Sequence, residues 1–446
     1  MPSALTTDAA PPTQVRWMIF ALACATSWLL YVHRYVWNII NPILVKTFEI
    51  DQTTAGWVFA VFYVTYAAGQ IPSGVFIDRF GPHRFLSWSI GAWSLALAGF
   101  GFTGNLWVLG GLRALFGAAQ AGCYPALTKT TRLWFPLRSR TMIQGLIATT
   151  SGRMGGAMSP ILMGTLLMGY GGLSWQTTLL VLSGAGLIFA VIFALVFRNS
   201  PEVHRGVNAA ELSIIRDGAL TAAPQGGVLP WGDAFRNRSL RVFVVQQYLD
   251  AGSDVVFVSL IGAFFLQSYG VDIKQAGWLT SLPLWGGAFG GIMGGWLNEF
   301  CIARWGNRRW ARSLIGATGK MIGAAAIIVL TLQGTPVAAG VMLCIAKFFS
   351  DWSQPTVWGA CTDLGGRFSA TVFSIINTSG TLGGVIMPPL FGMLLDVFTT
   401  TSTVAEEVVK TTNWSPLFYL IAAMYFGSGL CWLMIDCTKS LEKGGG

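Results

Sequence analysis

Charged residues are scarce in this sequence: Asp, Glu, Lys and Arg make up 11% of its 446 residues, whereas hydrophobic residues make up 53%. Soluble chains usually carry about 25% charged residues, so this composition excludes a soluble domain and predicts an integral membrane protein. Histidine is also rare, with three residues, and the seven cysteines lack CxxC spacing. The sequence contains no metal-spaced His/Cys cluster, phosphate-binding loop or nucleophile elbow. We therefore expect no enzyme activity, no bound metal and no cofactor.

Twelve apolar stretches follow one another along the chain, each near the length of about 20 residues that crosses a bilayer as a helix. They lie near residues 17–45, 53–78, 84–102, 105–134, 139–168, 174–197, 241–268, 274–299, 312–333, 336–362, 367–397 and 412–436. This pattern predicts an all-α membrane protein with twelve transmembrane helices in two pseudo-symmetric six-helix bundles.

A long polar interval separates the sixth span from the seventh and divides the chain. The predicted organisation is an N-terminal tail at 1–16, an N-terminal bundle at 17–197, a linker at 198–240, a C-terminal bundle at 241–436 and a C-terminal tail at 437–446. In the linker, Asn208 and Glu211 match a capping box that opens a short amphipathic helix.

The basic residues are distributed unevenly among the loops. With the N-terminus inside, cytoplasmic loops and tails hold twenty Lys and Arg, the outer loops hold three, and five lie within spans. Positive residues accumulate on the cytoplasmic side of membrane proteins, so we expect both termini in the cytoplasm. Because these residues lie in short loops between apolar spans, the net charge of +9 does not indicate a nucleic-acid partner.

Arg34 lies near the middle of the first apolar span. A guanidinium at that depth costs at least ~2.5–3.5 kcal/mol unless it faces a wet cavity or a counter-charge. Arginine does not lose its proton in proteins, and Arg34 is too deep for its side chain to reach the interface easily. The residue is interpreted as a fixed positive charge that lines a path for an anion.

A short motif occurs at matching places in the two halves. At the end of the second span, Gly74 precedes Asp78 by four residues, and a basic turn with Arg79 and Gly81 follows. At the end of the eighth span, Glu299 follows a glycine by four residues and a second basic turn comes after it. An acid at this position can pair with loop arginines or stabilise a neighbouring helix N-terminus.

The run Gly74–Arg84 resembles the signature between helices two and three of the major facilitator superfamily, a fold of two repeated six-helix halves with a midplane substrate site. Arg113 with Gly117 resembles a further motif of that superfamily. Within it, the chain resembles the anion:cation symporter family, which includes hexuronate, galactonate, glucarate and phthalate permeases. The most specific resemblance runs from Phe348 to Pro388.

The resemblance implies a set of substrate-binding residues. In these relatives, a Tyr-x-Asp-Arg run and an Arg followed seven residues later by a Glu form the substrate and proton centre. The matching positions here are Tyr31, His33, Arg34, Arg113 and Gln120, so His33 and Gln120 replace the family's two carboxylates. Four more positions match the family's sugar-acid site, namely Tyr66, Gln247, Trp358 and Asn377.

The spans contain more buried cations than buried acids. The cations are Arg34, Arg113, Arg153, Lys320 and Lys347, and the acids are Asp250, Asp254 and Asp351. A cavity with two surplus positive charges attracts anions. Lys347 and Asp351 share a helix face at a spacing of four, so this pair could also simply neutralise itself.

The candidates for proton coupling are Asp250, Asp254, Asp351 and His33. Asp250 and Asp254 share one face of the seventh span, and two carboxylates this close do not both ionise easily. This pair is the leading candidate. The alternative is that each acid pairs with a cation on another helix. Tyr66, Gln247, Asn377 and Trp358 have an alternative role too, in linking or packing helices.

The predicted function is a monomeric secondary active transporter of the cell or inner membrane. It imports a small organic anion, such as a sugar acid or similar carboxylate, by alternating access and with coupling to protons. One alternative is an anion exchanger or uniporter for mono- or aromatic carboxylates or organophosphates. An alternative of another class is a nutrient sensor that transports nothing.

Overall fold

The computed structural model describes residues 11–136, 139–217, 231–365, 369–404, 407–439 and 441. The side chains of some further residues inside helices, including Asp78, lie outside the described part. The predicted tails and linker (1–16, 198–240 and 437–446) also fall partly outside it. Within the described ranges the chain is almost entirely helical.

The first half contains eight α-helices and two π-helical segments. They are α1 (Val15–Tyr35), α2 (Trp37–Thr47), α3 (Gln52–Phe102), α4 (Leu106–Gln120), α5 (Cys123–Trp134), α6 (Arg140–Gly145), a π-helix (Leu146–Ser151), α7 (Gly152–Pro160), a second π-helix (Ile161–Tyr170) and α8 (Trp175–Val196). The linker region contains a 3₁₀ turn (Pro201–Val203), α9 (Ala209–Arg216) and α10 (Trp231–Arg236).

The second half contains nine α-helices and a two-stranded hairpin. They are α11 (Arg238–Asp254), α12 (Val256–Ser259), α13 (Ile261–Tyr269), α14 (Ile273–Trp305), α15 (Arg308–Leu330), α16 (Pro336–Ser350), α17 (Ser353–Gly365), α18 (Ser369–Val397), β1 (Thr399–Val404), β2 (Glu407–Thr412) and α19 (Ser415–Met434). The strands pair antiparallel, with Thr399 opposite Thr412, in the loop between the last two predicted spans. The sequence pattern did not predict this hairpin.

The described helices follow the twelve predicted spans in order, but several spans are broken or bent. Six described helical segments are long and apolar enough to cross a membrane as they stand, or seven if the bent pair from Arg238 to Tyr269 is one span. The fourth, fifth and tenth spans are divided, as at the junction of α4 and α5 and at the π-helices around α7, whereas the second and eighth are continuous within α3 and α14. Conversely, α3 joins two spans across Gly81, whose φ of 83° interrupts the helix.

Side chains of the sequence start many of these helices by accepting hydrogen bonds from the first-turn amides. Asp51 accepts from the Thr54 amide at 2.8 Å, Asp272 from the Gln275 amide at 2.7 Å, and Asn105 from the Trp107 amide at 2.8 Å. Such caps satisfy amides that have no partner within the helix. They fix where α3, α14 and α4 begin.

The linker helix α9 is joined to the start of α1. Asn208 caps α9 as predicted, because its Oδ1 accepts from the Glu211 amide at 2.9 Å. The Glu211 carboxylate does not complete the predicted capping box locally. It is buried and instead accepts from the amides of Val15 at 3.1 Å and Arg16 at 3.0 Å, at the N-terminus of α1.

The two halves meet closely at the helix ends remote from the chain termini. Asn38 of α2 donates to the Phe257 carbonyl of α12 at 2.6 Å. At the end of α18, Asp396 accepts from the amides of Gln52 at 3.0 Å and Thr53 at 2.8 Å, at the start of α3. These contacts close the interface between the halves at the end opposite the termini.

Candidate functional site

Arg34 lies in the last turn of α1, just before the break at Val36, and its side chain is half-buried. Its Nε donates to Gln120 Oε1 on α4 at 3.0 Å, and Gln120 Nε2 donates in turn to the Leu30 carbonyl at 3.4 Å. The Arg34 Nη2 atom is buried, and no described residue accepts a hydrogen bond from it. Gln120 thus orients Arg34 without neutralising its charge.

Three aromatic rings surround the Arg34 guanidinium. Its central carbon lies 5.1 Å from the ring centroid of Tyr31, 4.9 Å from that of Phe62 and 5.1 Å from that of Tyr66. Ring faces attract a cation, and the attraction grows as water is removed. The rings stabilise the positive charge and still leave room for an anion as its partner. Tyr31 and Tyr66 thus lie beside Arg34, and their role in binding stays a prediction.

Arg113 lies on α4 and is fully buried. Its guanidinium carbon lies 4.5 Å from the ring centroid of Trp37, 4.9 Å from Phe59, 4.9 Å from Phe62 and 5.8 Å from Phe116. Its Nε, Nη1 and Nη2 are all buried, and none of them finds an acceptor among the described residues. Buried donors without acceptors are costly and indicate a missing partner such as water or an ion.

Phe62 connects the two arginines. Both guanidinium carbons lie 4.9 Å from its centroid, so they are no farther apart than twice that distance. Within the described residues, no carboxylate forms an ion pair with either one. Two cations this close, with buried donors that lack protein acceptors, form a site that favours an anion.

A second charged cluster crosses from the first half to the second. Arg153 of α7 pairs with Asp351, which follows α16. Asp351 also accepts from Lys347 Nζ at 2.6 Å, and Lys347 donates to Asp254 of α11 at 2.6 Å. Tyr425 of α19 donates to the other Asp254 oxygen at 2.8 Å. The cluster contains two acids and two cations and is neutral.

Asp250 belongs to a separate, fully buried pair with Lys320 of α15. Lys320 also donates to Ser350 Oγ at 2.5 Å, and Gln246 Nε2 donates to Asp250 Oδ2 at 3.3 Å. Asp250 and Asp254 therefore have different cationic partners on other helices. This is the second of the two sequence-based alternatives, and it disfavours a proton shared between the two acids.

The ion pairs account for the predicted charge surplus. Asp250 pairs with Lys320, Asp351 with Arg153 and Lys347, and Asp254 with Lys347. The predicted Lys347–Asp351 pair is present. In the described part of the chain, the two span cations that remain without a carboxylate are Arg34 and Arg113.

His33 contacts α8 and not the Arg34 guanidinium. Its ring is fully buried, and Nε2 lies 3.0 Å from the Leu182 carbonyl of α8. Successive residues of a helix point about 100° apart, so His33 and Arg34 lie on different faces of α1. The role of His33 in proton coupling stays a prediction.

The remaining predicted binding residues lie on the second half. Gln247 lies on α11, next to Gly380 of α18, and its buried Oε1 lacks a described partner. Trp358 is half-exposed and stacks on Phe373, with centroids 4.2 Å apart. Asn377 is exposed on α18. The role of these three residues in binding stays a prediction.

The predicted conformational motif is partly described. Gly81 has a φ of 83°, and a side chain there would overlap Asn199, whose Oδ1 accepts from the His83 amide at 2.8 Å. Gly74 has open space around it, and Arg79 is exposed, 5.3 Å from the Phe80 ring. Glu299 is exposed near the end of α14, and the Asp78 side chain lies outside the described part.

Two rings of the aromatic lining, Phe59 and Phe62, were not predicted. Together with the predicted Tyr66 they recur on α3 at spacings of three and four residues, which places them on one helix face beside the two arginines. This spacing is visible in the sequence and could have identified the lining. In the part of the chain that the structure describes, no His, Cys, Asp and Glu side chains form a group suited to a metal.

Comparison with known proteins gives consistent matches over most of the chain. The family model of the Major Facilitator Superfamily matches residues 22–388 and 247–444. A probable sulfoacetate transporter of Cupriavidus necator is 29% identical over 86% of this chain and 88% of its own length. The D-galactonate transporter of Escherichia coli O6:H1 is 26% identical, with coverages of 87% and 91%. A probable galactarate/D-glucarate transporter of Escherichia coli K12 is 26% identical, with coverages of 85% and 86%.

Solved structures share the fold. A bacterial homologue of the human lysosomal transporter Spinster, in an inward-facing and unoccupied conformation, superposes with a TM-score of 0.71 at 18% identity, covering 95% of each chain. The nucleoside transporter NupG superposes with a TM-score of 0.66 at 12% identity, covering 94% of this chain and 99% of its own.

Proposed function

This chain belongs to the Major Facilitator Superfamily, and from that premise we propose that it is a secondary active transporter of a small organic anion. The predicted superfamily and the predicted all-α membrane fold are thereby confirmed, and the relatives are transporters and not enzymes. The named substrates of the relatives, sulfoacetate, galactonate and galactarate or glucarate, are all organic anions.

The observation that carries the proposal is the pair Arg34 and Arg113. Both lie within spans, neither has a carboxylate partner among the described residues, and together they leave four buried nitrogen atoms without acceptors. An anion bound between them would supply the missing acceptors and neutralise charge at a depth where free charge is costly. Gln120, Tyr31 and Tyr66 would orient it, with Gln247, Trp358 and Asn377 approaching from the second half.

We propose that transport proceeds by alternating access, and the closure between the halves at one end supports this. Contacts such as Asn38 to Phe257 and Asp396 to Thr53 close one end, and we propose that they separate when the site opens to that side. We place both termini in the cytoplasm, so the present state faces inward. The bundle limits at 17–197 and 241–436 and a monomeric state remain part of the proposal.

We infer that proton coupling uses acids of the second half. Gln120 replaces one family carboxylate, and His33, which replaces the other, lies against the Leu182 carbonyl of α8. Asp351 and Asp254 are better placed, because Asp351 contacts cations of both halves. We infer that protonation of Asp351 would release Arg153 and loosen the contact between the halves, which would couple import to the proton gradient.

A second candidate mode is anion exchange. Without its substrate, the site holds two cations and no described carboxylate partner for either, so returning it empty across the membrane is costly. Exchange avoids that step because an anion occupies the site in both directions. Faster uptake when unlabelled anion is present on the far side, with no dependence on a pH gradient, would favour exchange over symport.

The proposed function is tested by uptake into proteoliposomes containing the purified protein, with sulfoacetate, galactonate and galactarate as trial substrates. Arg34→Ala and Arg113→Ala should each abolish uptake while the purified protein remains monodisperse. Arg132→Ala, which removes an exposed arginine of α5 far from the pair in the fold, is the matched control and should transport normally. Near-normal uptake by either site variant refutes the assignment.

A further inference from the structure

We propose that the substrate is a short dianion whose two acid groups, one or two carbon atoms apart, bind Arg34 and Arg113 at the same time. This inference rests on the proposed function and narrows its substrate class. It is carried by three features of the site: its net charge, its unfilled donors and the distance between the two guanidinium groups.

The charge of the site calls for two negative charges. Asp250, Asp254 and Asp351 are already paired with cations of the second cluster or with Lys320, and Asp396 at the end of α18 accepts from the amides that start α3. None is available to compensate Arg34 or Arg113. A monoanion would leave one positive charge at mid-membrane depth, whereas a dianion cancels both, and uncompensated charge at that depth is strongly disfavoured.

The buried nitrogen atoms of the two arginines that lack acceptors also favour a substrate with two acid groups. Arg113 presents three buried nitrogen atoms without an acceptor, and Arg34 presents one. A single carboxylate has two oxygen atoms and typically forms one bidentate contact with one guanidinium. Two acid groups, one for each arginine, would provide acceptors for all four nitrogen atoms. A sulfonate with three oxygen atoms suits Arg113 particularly well.

The separation of the arginines limits the length of the substrate. Their guanidinium carbons are no farther apart than twice 4.9 Å, because each lies at that distance from the Phe62 centroid. The centre of an acid group lies about 4 Å from the carbon of the guanidinium that it binds bidentately. Acid groups bound between the two guanidinium groups therefore lie close together, beside the line that joins the guanidinium carbons. A spacer of one or two carbon atoms holds two acid groups this close, whereas the extended chain of a six-carbon diacid holds them farther apart.

The walls of the site also disfavour a long polyhydroxylated chain. Around Arg113 the neighbouring groups are the rings of Trp37, Phe59, Phe62 and Phe116. The side-chain amide of Gln120 already forms two hydrogen bonds: its Oε1 accepts from Arg34, and its Nε2 donates to the Leu30 carbonyl. Hydroxyl groups along a sugar acid would be buried there with few partners, which costs binding free energy.

The test is a binding series on the purified full-length protein by isothermal titration. Sulfoacetate and malonate are the short dianions, acetate and methanesulfonate the matched monoanions, and galactarate and galactonate the long anions. We expect the short dianions to bind roughly tenfold or more tightly than either other group, as expected for one additional charge-assisted contact. Equal or tighter binding by acetate, galactonate or galactarate overturns the inference.

Two variants connect the preference to the residues. Arg34→Gln should weaken sulfoacetate binding roughly tenfold or more, and change acetate binding much less, because one of two anion contacts is lost. Arg132→Gln is the control and should keep the preference for short dianions. An Arg34→Gln protein that folds and still prefers sulfoacetate over acetate contradicts the inference.

The same series separates this inference from the proposed function. If galactonate is transported and short dianions are not, the inference of a dianionic substrate is wrong, but the proposal of an organic-anion transporter remains. If no anion in the series is bound or transported, both the inference and the proposed function are wrong.

Discussion

Arg153 of α7 and Asp351 of the α16–α17 junction form an ion pair that joins the two halves of the molecule. Asp351 lies between two cations, since Lys347 contacts its other oxygen at 2.6 Å. Arg153 directly follows Gly152, where an added side-chain carbon would meet Tyr31 of the anion site at 3.0 Å. The ion pair is therefore close enough to the anion site for a change in one to affect the other.

We predict that Asp351→Asn uncouples transport from the pH gradient. The amide cannot take up a proton, and it leaves Arg153 and Lys347 without the charge that held them together. Uptake driven by an imposed pH gradient should be lost, while exchange of labelled for unlabelled substrate continues. Both are measured in the same proteoliposomes.

The control for this prediction is Asp363→Asn. Asp363 accepts from Arg312 Nε at 2.8 Å within the second half, so it forms a comparable pair that does not join the halves. It should retain uptake driven by the gradient. If Asp351→Asn also retains it, the coupling proton binds elsewhere.

The Asp250–Lys320 pair is predicted to stabilise the second half and not to couple transport. Both side chains are fully buried, and removing one partner of a buried pair costs about 3–5 kcal/mol. Asp250→Asn and Lys320→Met should each lower the unfolding temperature in detergent strongly. The double variant should recover most of that loss, because it leaves no unpaired charge. A double variant as unstable as the single ones would show that the pair matters through other contacts.

Much of the architecture is predictable because the membrane imposes it. Long apolar runs have to become helices in a bilayer, so span order follows from hydropathy. The charge surplus is equally visible in sequence, and the unpaired Arg34 and Arg113 agree with it. Helix geometry is predictable as well, since the position of His33 one residue before Arg34 already places the two on different helix faces.

The partners of the acids were not predictable in the same way. Asp250 pairs with a lysine 70 residues away, and Asp254 with one 93 residues away. Helical periodicity places both acids on one face of α11 but does not specify which helices pack there. Glu211 is similar: the capping box predicts a local bond, whereas tertiary packing offers the amides of α1, nearly 200 residues earlier. The π-helices around α7 likewise have no sequence signal that we could identify.

Glu211 is predicted to be a strong attachment point between the linker and the first half. It is buried and accepts from Thr13 Oγ1 at 2.5 Å and from the amides of Val15 and Arg16. Glu211→Ala leaves these donors unfilled and should destabilise the protein by about 1–3 kcal/mol. The control is Glu202→Ala, which breaks an exposed pair with Arg216 and should cost no more than about 1 kcal/mol. Thermal unfolding of both variants in detergent provides the measurement, and equal stability of the two contradicts the proposed role of Glu211.

Gly262 is predicted to be necessary for closure at the end opposite the termini. It lies on α13 against α2, and a side-chain carbon added there would be 2.1 Å from the Asn38 carbonyl oxygen. The backbones of α13 and α2 would have to move apart to remove this overlap, so Gly262→Ala should keep the two halves apart at this end. The variant should accumulate in a state open to the side opposite the termini. It should still bind substrate there, but complete few transport cycles.

Asn41 reports on this change, because it is buried in the narrow cleft between the closed halves, beside Trp37 and Ser259. In a protein without its native cysteines, Asn41→Cys should react with an impermeant maleimide faster when Gly262→Ala is present. Gly91→Ala is the matched control, since a side-chain carbon there has open space, and it should change neither labelling nor uptake. Unchanged labelling in Gly262→Ala, with normal uptake, would mean that the close approach of α13 to α2 is not required for the transport cycle.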